Sequence, residues 1–400
     1  MYFFTVLFIL MSHVVIFTQC ELAPCPIQWR LPCPLPPWSP TYNMQLSTQH
    51  YFYSSEGYYD NQTVFFAALH GVVGIDWANH YGLPMHREDT LAQQAAYIKN
   101  MNPKTRVFVY RQSELALNIF DNGAKVMYDT TKKTDWFVLY PNGTIYNDST
   151  IVGNYRMDQF CWDHRNPEVQ DYFVNYYVGS AFNQSVVDGI FYDDDGGIWD
   201  ERINHPNYTE AYREAVDAAQ QVSLNRAWEL GLKYKKHAWQ AWLSPSIPSR
   251  KDTPAACASK MKTAISMKNV PVTFPAMYNG ACDHPWEQCE DLEQQLAAFL
   301  IARGDYWLFF TPNSWWKEGF EADYGVPLDD AYELFPNVFV RQWSNCTIYL
   351  DCNNFLSEII FRSSTKSVDR RKLSSYYFVA LKYFYSFYYR ICRFCRIFSF

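Results

Sequence analysis

The chain has 400 residues, 48% of them apolar, enough to bury one large core; a barrel of roughly 250–300 residues commonly stands as a single domain. Its 34 basic and 41 acidic residues give a formal net charge of −7, with no basic block before the extreme C-terminus. Phosphate backbones demand Lys and Arg in number, so this balance argues against nucleic acid as a partner.

Residues 1–20 read as a secretory signal. The apolar run Phe3–Phe17 is short for a bilayer span, and Pro-rich sequence follows it. No basic stretch precedes the run, which departs from the usual pattern, and cleavage is expected near Cys20. Residues 21–48 hold seven prolines between Pro24 and Pro40, which leaves no room for a regular element; an extended Pro/Cys-rich segment lying over the domain is expected.

From residue 49 to residue 352 short apolar runs alternate with helical patterns, as in βα units around a parallel sheet. The expected strands are His50–Tyr53, Val72–Trp77, Arg106–Tyr110, Gln159–Trp162, Asp188–Tyr192, His237–Trp242, Val272–Met277 and Tyr306–Phe310. Eight strands fit a closed (β/α)8 TIM barrel of the α/β class. An open doubly wound sheet is the alternative, disfavoured because no Gly-rich phosphate loop follows the first strand.

Between the strands, Leu91, Ala95, Ile98 and Met101 share a helix face that ends before Pro103. Asn166 and Pro167 offer an N-cap and a first-turn proline. Glu210 to Leu230 forms a long helix expected to stop at Gly231, and Leu292, Leu296, Phe299 and Leu300 form a stripe closed by Gly304. Asn142-Gly143 with apolar flanks predicts a hairpin. Residues 353–400 depart from the pattern. They carry Arg370, Arg371 and Lys372 before a Tyr/Phe-rich run, and are expected to lie outside the domain. A membrane association is expected only if the signal or this tail is retained as an anchor.

Eight of the eleven cysteines (Cys25, Cys33, Cys161, Cys257, Cys282, Cys289, Cys346 and Cys352) read as disulfide partners in an oxidising compartment, with Cys25–Cys33 and Cys282–Cys289 as local pairs. Zinc at Cys282, His284 and Cys289 is the weaker reading, so no metal and no cofactor is expected. N-x-S/T acceptors at Asn61, Asn142, Asn147, Asn183, Asn207 and Asn345 agree with a secreted glycoprotein.

The active site of such a barrel lies at the C-terminal ends of its strands. Carboxylates concentrate there: Asp76, Asp163 and the run Asp193, Asp194, Asp195. Glycosidic hydrolysis needs two carboxyl groups. One is protonated, to give a proton to the leaving oxygen; the other is ionised, to attack carbon or to activate water. Asp193, Asp194 and Asp163 are the catalytic candidates. Asp76, Trp77, Arg111, Trp162, Arg165, Gln240, Trp242, Tyr278 and Asn313 are candidates for binding a saccharide, the tryptophans as stacking walls. Each has a structural alternative: the Asp run as a solvated turn or a calcium loop, Asp163 as a partner of Arg165 or Arg111, and His164 as a packed histidine.

The run Val187–Asp194, preceded by Trp162–Glu168, resembles the glycoside-hydrolase-like barrels. More narrowly it is similar to the hypothetical glycosyl hydrolase family numbered fifteen, which Gly74–Trp77, Asp135–Tyr146 and Val338–Cys352 also resemble. The resemblance implies glycosidase chemistry on an extracellular saccharide. By it, Asp193 or Asp194 is one catalytic carboxylate and Asp163 the other. Two rival readings stand beside it: a carbohydrate-binding barrel without catalysis, and a phosphodiesterase, for which the paired histidines are lacking.

Overall fold

The structure, a computed structural model, describes residues 35–52, 57–77, 79, 87–152, 155–193, 208–240, 248–269, 273–275, 291–311 and 319–362. Its parallel strands begin with β1 (Thr48–Phe52), β2 (Val72–Ile75) and β3 (Arg106–Gln112). Four short strands follow: β4 (Leu115–Leu117), β5 (Thr150–Val152), β6 (Tyr155–Met157) and β7 (Gln159–Cys161). The parallel set resumes with β8 (Gly189–Asp193), β9 (His237–Gln240), β10 (Thr273–Pro275) and β11 (Leu308–Thr311). The chain closes with β12 (Tyr332–Phe335), β13 (Val338–Gln342), β14 (Cys346–Asp351) and β15 (Leu356–Phe361).

Seven strands pair in parallel in the order β10-β11-β1-β2-β3-β8-β9. The last of them, β11, returns to pair with the first, β1. That is the ring order of a barrel and not the reversed order of a doubly wound sheet. Among the described residues the sheet is an arc of seven strands, and no ladder there joins β9 to β10.

The expected fourth barrel strand does not belong to this arc. β7 pairs antiparallel with β4, while β8 pairs directly with β3. The expectation that Gln159–Trp162 is a barrel strand is thereby corrected. A short apolar run such as Gln159–Trp162 looks the same whether it enters a parallel sheet or a small antiparallel one. Residues 113–162 form an excursion beyond the C-terminal end of β3. It includes the predicted hairpin: Tyr140 donates to the Thr144 carbonyl at 2.7 Å, and Gly143 takes a positive φ of 83°.

Side-chain caps start three of the helices, the first as the sequence implied. The Asn166 side chain accepts from the Glu168 amide, and Thr209 and Thr253 cap Glu210–Lys233 and Pro254–Ser266 in the same way. The long helix runs past Gly231, however, to Lys233. Gly231 is kept small by a neighbour: an added Cβ would come within 3.0 Å of the Phe182 ring. The turn that ends the helix is made further on, where Lys236 N–H returns to the Gly231 carbonyl and Lys235 takes a positive φ.

The final four strands form an antiparallel sheet in the order β12-β13-β14-β15. It extends to Phe361, past the edge at residue 352 expected for the domain. One face of it, with Phe339, Ile348 and Leu350, packs with the helix Leu292–Ala302 in a second hydrophobic core. A disulfide, Cys257–Cys352, ties the helix Pro254–Ser266 to this sheet. Cys346 is a buried thiol whose Sγ lies 3.8 Å from the Tyr324 carbonyl, so not all eight cysteines pair as expected. The local pairs Cys25–Cys33 and Cys282–Cys289 lie outside the described residues, as does the tail beyond Arg362. No helix among the described residues is long and apolar enough to cross a membrane.

Candidate functional site

The two faces of the parallel arc follow from its register. Phe108, Tyr110 and Gln112 of β3 align with Gly189, Phe191 and Asp193 of β8, and so share one face. Arg111 and Tyr192 share the other. That second face meets helices: Arg111 Nε donates to the Tyr177 carbonyl at 3.0 Å, and Tyr192 stacks with Phe173. The first face is therefore the one turned away from the helices.

At the N-terminal end this inner face is apolar and filled. Trp38 packs edge-on against Phe108 and His237, at 6.1 and 5.6 Å between ring centroids, with the Arg106 guanidinium over its ring. Gly189 makes room for Phe108: a Cβ there would lie 2.5 Å from the Phe108 ring. Burial pushes the His237 imidazole down to about 3. Trp38, in the described segment before β1, thus covers this end of the inner face.

At the C-terminal end the same face turns polar. Tyr110 hydroxyl donates to Asp193 Oδ2 at 2.9 Å. The Gln112 side-chain oxygen accepts from Glu114 N–H at 3.1 Å. Asp193 is half-buried at the end of β8, where a parallel-sheet site is expected. Asp76 stands one residue past β2, 6% exposed, beside Tyr59. Burial, with the Asp76 charge adding to it, holds the Tyr59 phenol well above its ordinary range. Trp77 is half-buried against the main core.

Asp163 sits elsewhere. It follows β7 in the excursion, and Arg165 takes both of its oxygens, at 2.8 Å to Oδ1 and 2.7 Å to Oδ2. The Arg165 guanidinium also lies 4.1 Å over the Tyr212 ring. Arg165 thus serves as the partner of Asp163, and the structural alternative for this pair is the one observed.

Two proposed saccharide contacts are enclosed in the core. Arg111, 1% exposed, faces the helix layer, and its hydrogen bonds go to the Tyr110 and Tyr177 carbonyls and to Ser180. Its guanidinium meets the carbonyl of Tyr177 inside the π-helical turn Phe173–Val178, the kind of inserted side chain that widens a helix. Trp162 is fully buried, packed on Phe137, Phe173 and Tyr177, and forms no wall of a cleft. Asp194, Trp242, Tyr278 and Asn313 lie outside the described residues, and so does the side chain of Gln240.

The sequence reading passed over the residues that surround Asp193. Tyr110 touches its carboxylate, and Ser113 donates to its backbone carbonyl from both N–H and hydroxyl. A signal for Tyr110 was available: in β3 it alternates with Arg111, so only one of the two can share the face of Asp193. His164 is buried and packs on Phe173, with its imidazole pushed down to about 4 by burial, partly opposed by a backbone hydrogen bond to Ser113. Among the described residues no group of three or more His, Cys, Asp or Glu stands where it could hold a metal ion.

No protein-family model matches the sequence. No curated protein matches it either. The similarity to the family numbered fifteen therefore rests on the quoted motifs alone. Solved structures with a similar chain path include the sucrose 6F-phosphate phosphorylase of Thermoanaerobacter thermosaccharolyticum, at 9% identity and a TM-score of 0.48, covering 81% of this chain and 96% of that one. The cyclic α-maltosyl-(1→6)-maltose hydrolase of Arthrobacter globiformis is similar at 12% identity and a TM-score of 0.43, over 83% of this chain and 94% of that one. A GH31 dextranase of Flavobacterium johnsoniae is similar at 11% identity and a TM-score of 0.46; 71% of this chain is covered but only 38% of that chain.

Proposed function

We propose that this protein is a secreted glycosidase that hydrolyses an O-glycosidic bond of an extracellular saccharide with two carboxyl groups. The observation that carries the reading is the placement of Asp193. It ends a strand of a parallel arc in ring order, on the face turned from the helices, with its carboxylate held by Tyr110. A half-buried carboxylate at that rim suits either attack on an anomeric carbon or activation of water. Asp194, the next residue, is the alternative for the same role. Asp163 remains the motif's candidate for the second carboxyl group, and takes that role only if substrate displaces Arg165 from it.

The test is a panel of glycans offered to the wild type and to Asp193→Asn, Asp194→Asn and Asp163→Asn, with circular dichroism as the check on folding. Product release is expected from the wild type and to be lost in Asp193→Asn while the fold is kept. Full activity in both Asp193→Asn and Asp194→Asn removes the assignment. The closed Asp163–Arg165 pair favours a second reading, a barrel that binds saccharide without cleaving it. Glycan binding with no product on long incubation would select that one.

A further inference from the structure

A buried hydrogen-bond network stands behind Asp193. Ser113 gives the Asp193 carbonyl two bonds, from N–H at 3.1 Å and from the hydroxyl at 2.9 Å. The Ser113 hydroxyl oxygen accepts from Gln220 Nε2 at 3.1 Å. The Ser113 carbonyl lies 3.1 Å from His164 Nε2. A carbonyl only accepts, so Nε2 carries the ring proton. Nδ1 is then the acceptor, and the Ser223 hydroxyl donates to it at 2.9 Å.

Ser113, His164, Gln220 and Ser223 are each 2% exposed or less. Gln220 and Ser223 lie three apart on the helix Glu210–Lys233, and so on one face of it. The network thus joins the end of β3, the exit of the excursion and the long helix to a single backbone carbonyl. That carbonyl belongs to the last residue of β8.

We propose that Ser113 and His164 are positioning residues for Asp193. Neither reaches the reacting atoms. Ser113 fixes the peptide from which the carboxylate projects, and His164 fixes Ser113 against the long helix. Tyr110 then sets the carboxylate itself, from the same strand. With its backbone held by Ser113, just after β3, and its side chain by Tyr110 of β3, the carboxylate keeps one direction. Misplacing a reacting group by an ångström costs on the order of 10²-fold in rate. The activity readout of this inference rests on the glycosidase reading; its structural readout does not.

Three variants test it: Ser113→Ala, His164→Phe, which keeps the ring packing but loses both polar bonds, and His164→Gln, which restores a donor near Nε2. Each is measured for melting temperature, for kcat and KM on a glycan that the wild type cleaves, and for the rate at which a water-soluble carbodiimide couples an amine to Asp193, read by peptide mass mapping. In Ser113→Ala and His164→Phe, kcat is expected to fall by on the order of 10²-fold at unchanged KM. Asp193 is expected to label severalfold faster, Asp163 labelling is expected to stay constant, and His164→Gln is expected to recover most of the loss. A lowered melting temperature with kcat and Asp193 labelling unchanged would reduce the network to core packing and overturn the proposal. If the wild type cleaves no glycan, the glycosidase reading fails by itself. Labelling then decides alone, and an unchanged Asp193 rate in both loss variants overturns the positioning role.

Discussion

Two buried polar clusters in this molecule end in different ways. Where the C-terminal sheet meets the helix Leu292–Ala302, Arg303 and Arg341 lie 0% and 6% exposed. Arg303 donates to the carbonyls of Tyr42 and Thr41 and to the Ser47 hydroxyl. Arg341 donates to the carbonyls of Asp329, Ile301 and Arg303, closing the last turn of that helix. Apart from Ser47, every bond from these guanidinium groups ends on backbone. At the rim of the parallel arc the chain of bonds runs the other way, from a helix through His164 and Ser113 to a residue that carries a carboxylate, and Tyr110 meets that carboxylate directly. Buried polar groups spent on peptide carbonyls join pieces of a fold. At the rim the bonds of His164 and Ser113 also end on peptide carbonyls, but the last of these belongs to the residue whose carboxylate Tyr110 meets, so the same kind of bond there fixes a strand end that carries an ionisable side chain.

The largest effect that would sharpen this contrast is expected on the side of the C-terminal sheet. The Cys257–Cys352 bridge closes a loop with a sequence separation of 95. Losing it in Cys257→Ser should cost about 4 kcal/mol of stability, seen as a lower urea midpoint, with the rim chemistry kept in the protein that stays folded. Next comes Arg303→Met, which strips buried carbonyls of a charged donor and should cost about 3 kcal/mol in the same titration. An unchanged midpoint would break the claim that this cluster is structural.

The third effect belongs to the rim. Burial lowers the His164 imidazole from 6.5 to about 4, so between those pH values the unfolded chain binds a proton that the folded one does not. Stability therefore falls as pH drops through this window, with a slope of up to about 1.4 kcal/mol per pH unit from this residue. His164→Gln should flatten the slope, whereas Arg303→Met should leave it alone. An unaltered slope in His164→Gln would put the acid sensitivity elsewhere.

Much of the scaffold was legible, because short apolar runs separated by helical patterns mark the strands of a parallel sheet well. β2, β3, β8 and β9 all begin within a residue of where the pattern put them. What could not be read was membership. Nothing in Gln159–Trp162 shows that its partner is the antiparallel Leu115–Leu117, since that choice is made by contacts distant in sequence. The pattern put Asp193 at the end of a strand, where it lies, but did not show which side chains surround it. Arg111 and Trp162 carry side chains suited to sugars, and both are consumed by the core. Ser113, Gln220 and Ser223 come from remote elements and carry no local signature, so only the folded register brings them together.

The tryptophan that covers the floor of the arc bears on how far the N-terminus can be trimmed. A processing cut anywhere upstream of Trp38 leaves its ring against Phe108 and His237. A cut beyond it would let solvent reach His237, which would regain a basicity nearer that of a free imidazole. The segment before Trp38 and the parallel arc are thus separable only on one side of this ring, and limited proteolysis with N-terminal sequencing would show where that line is drawn.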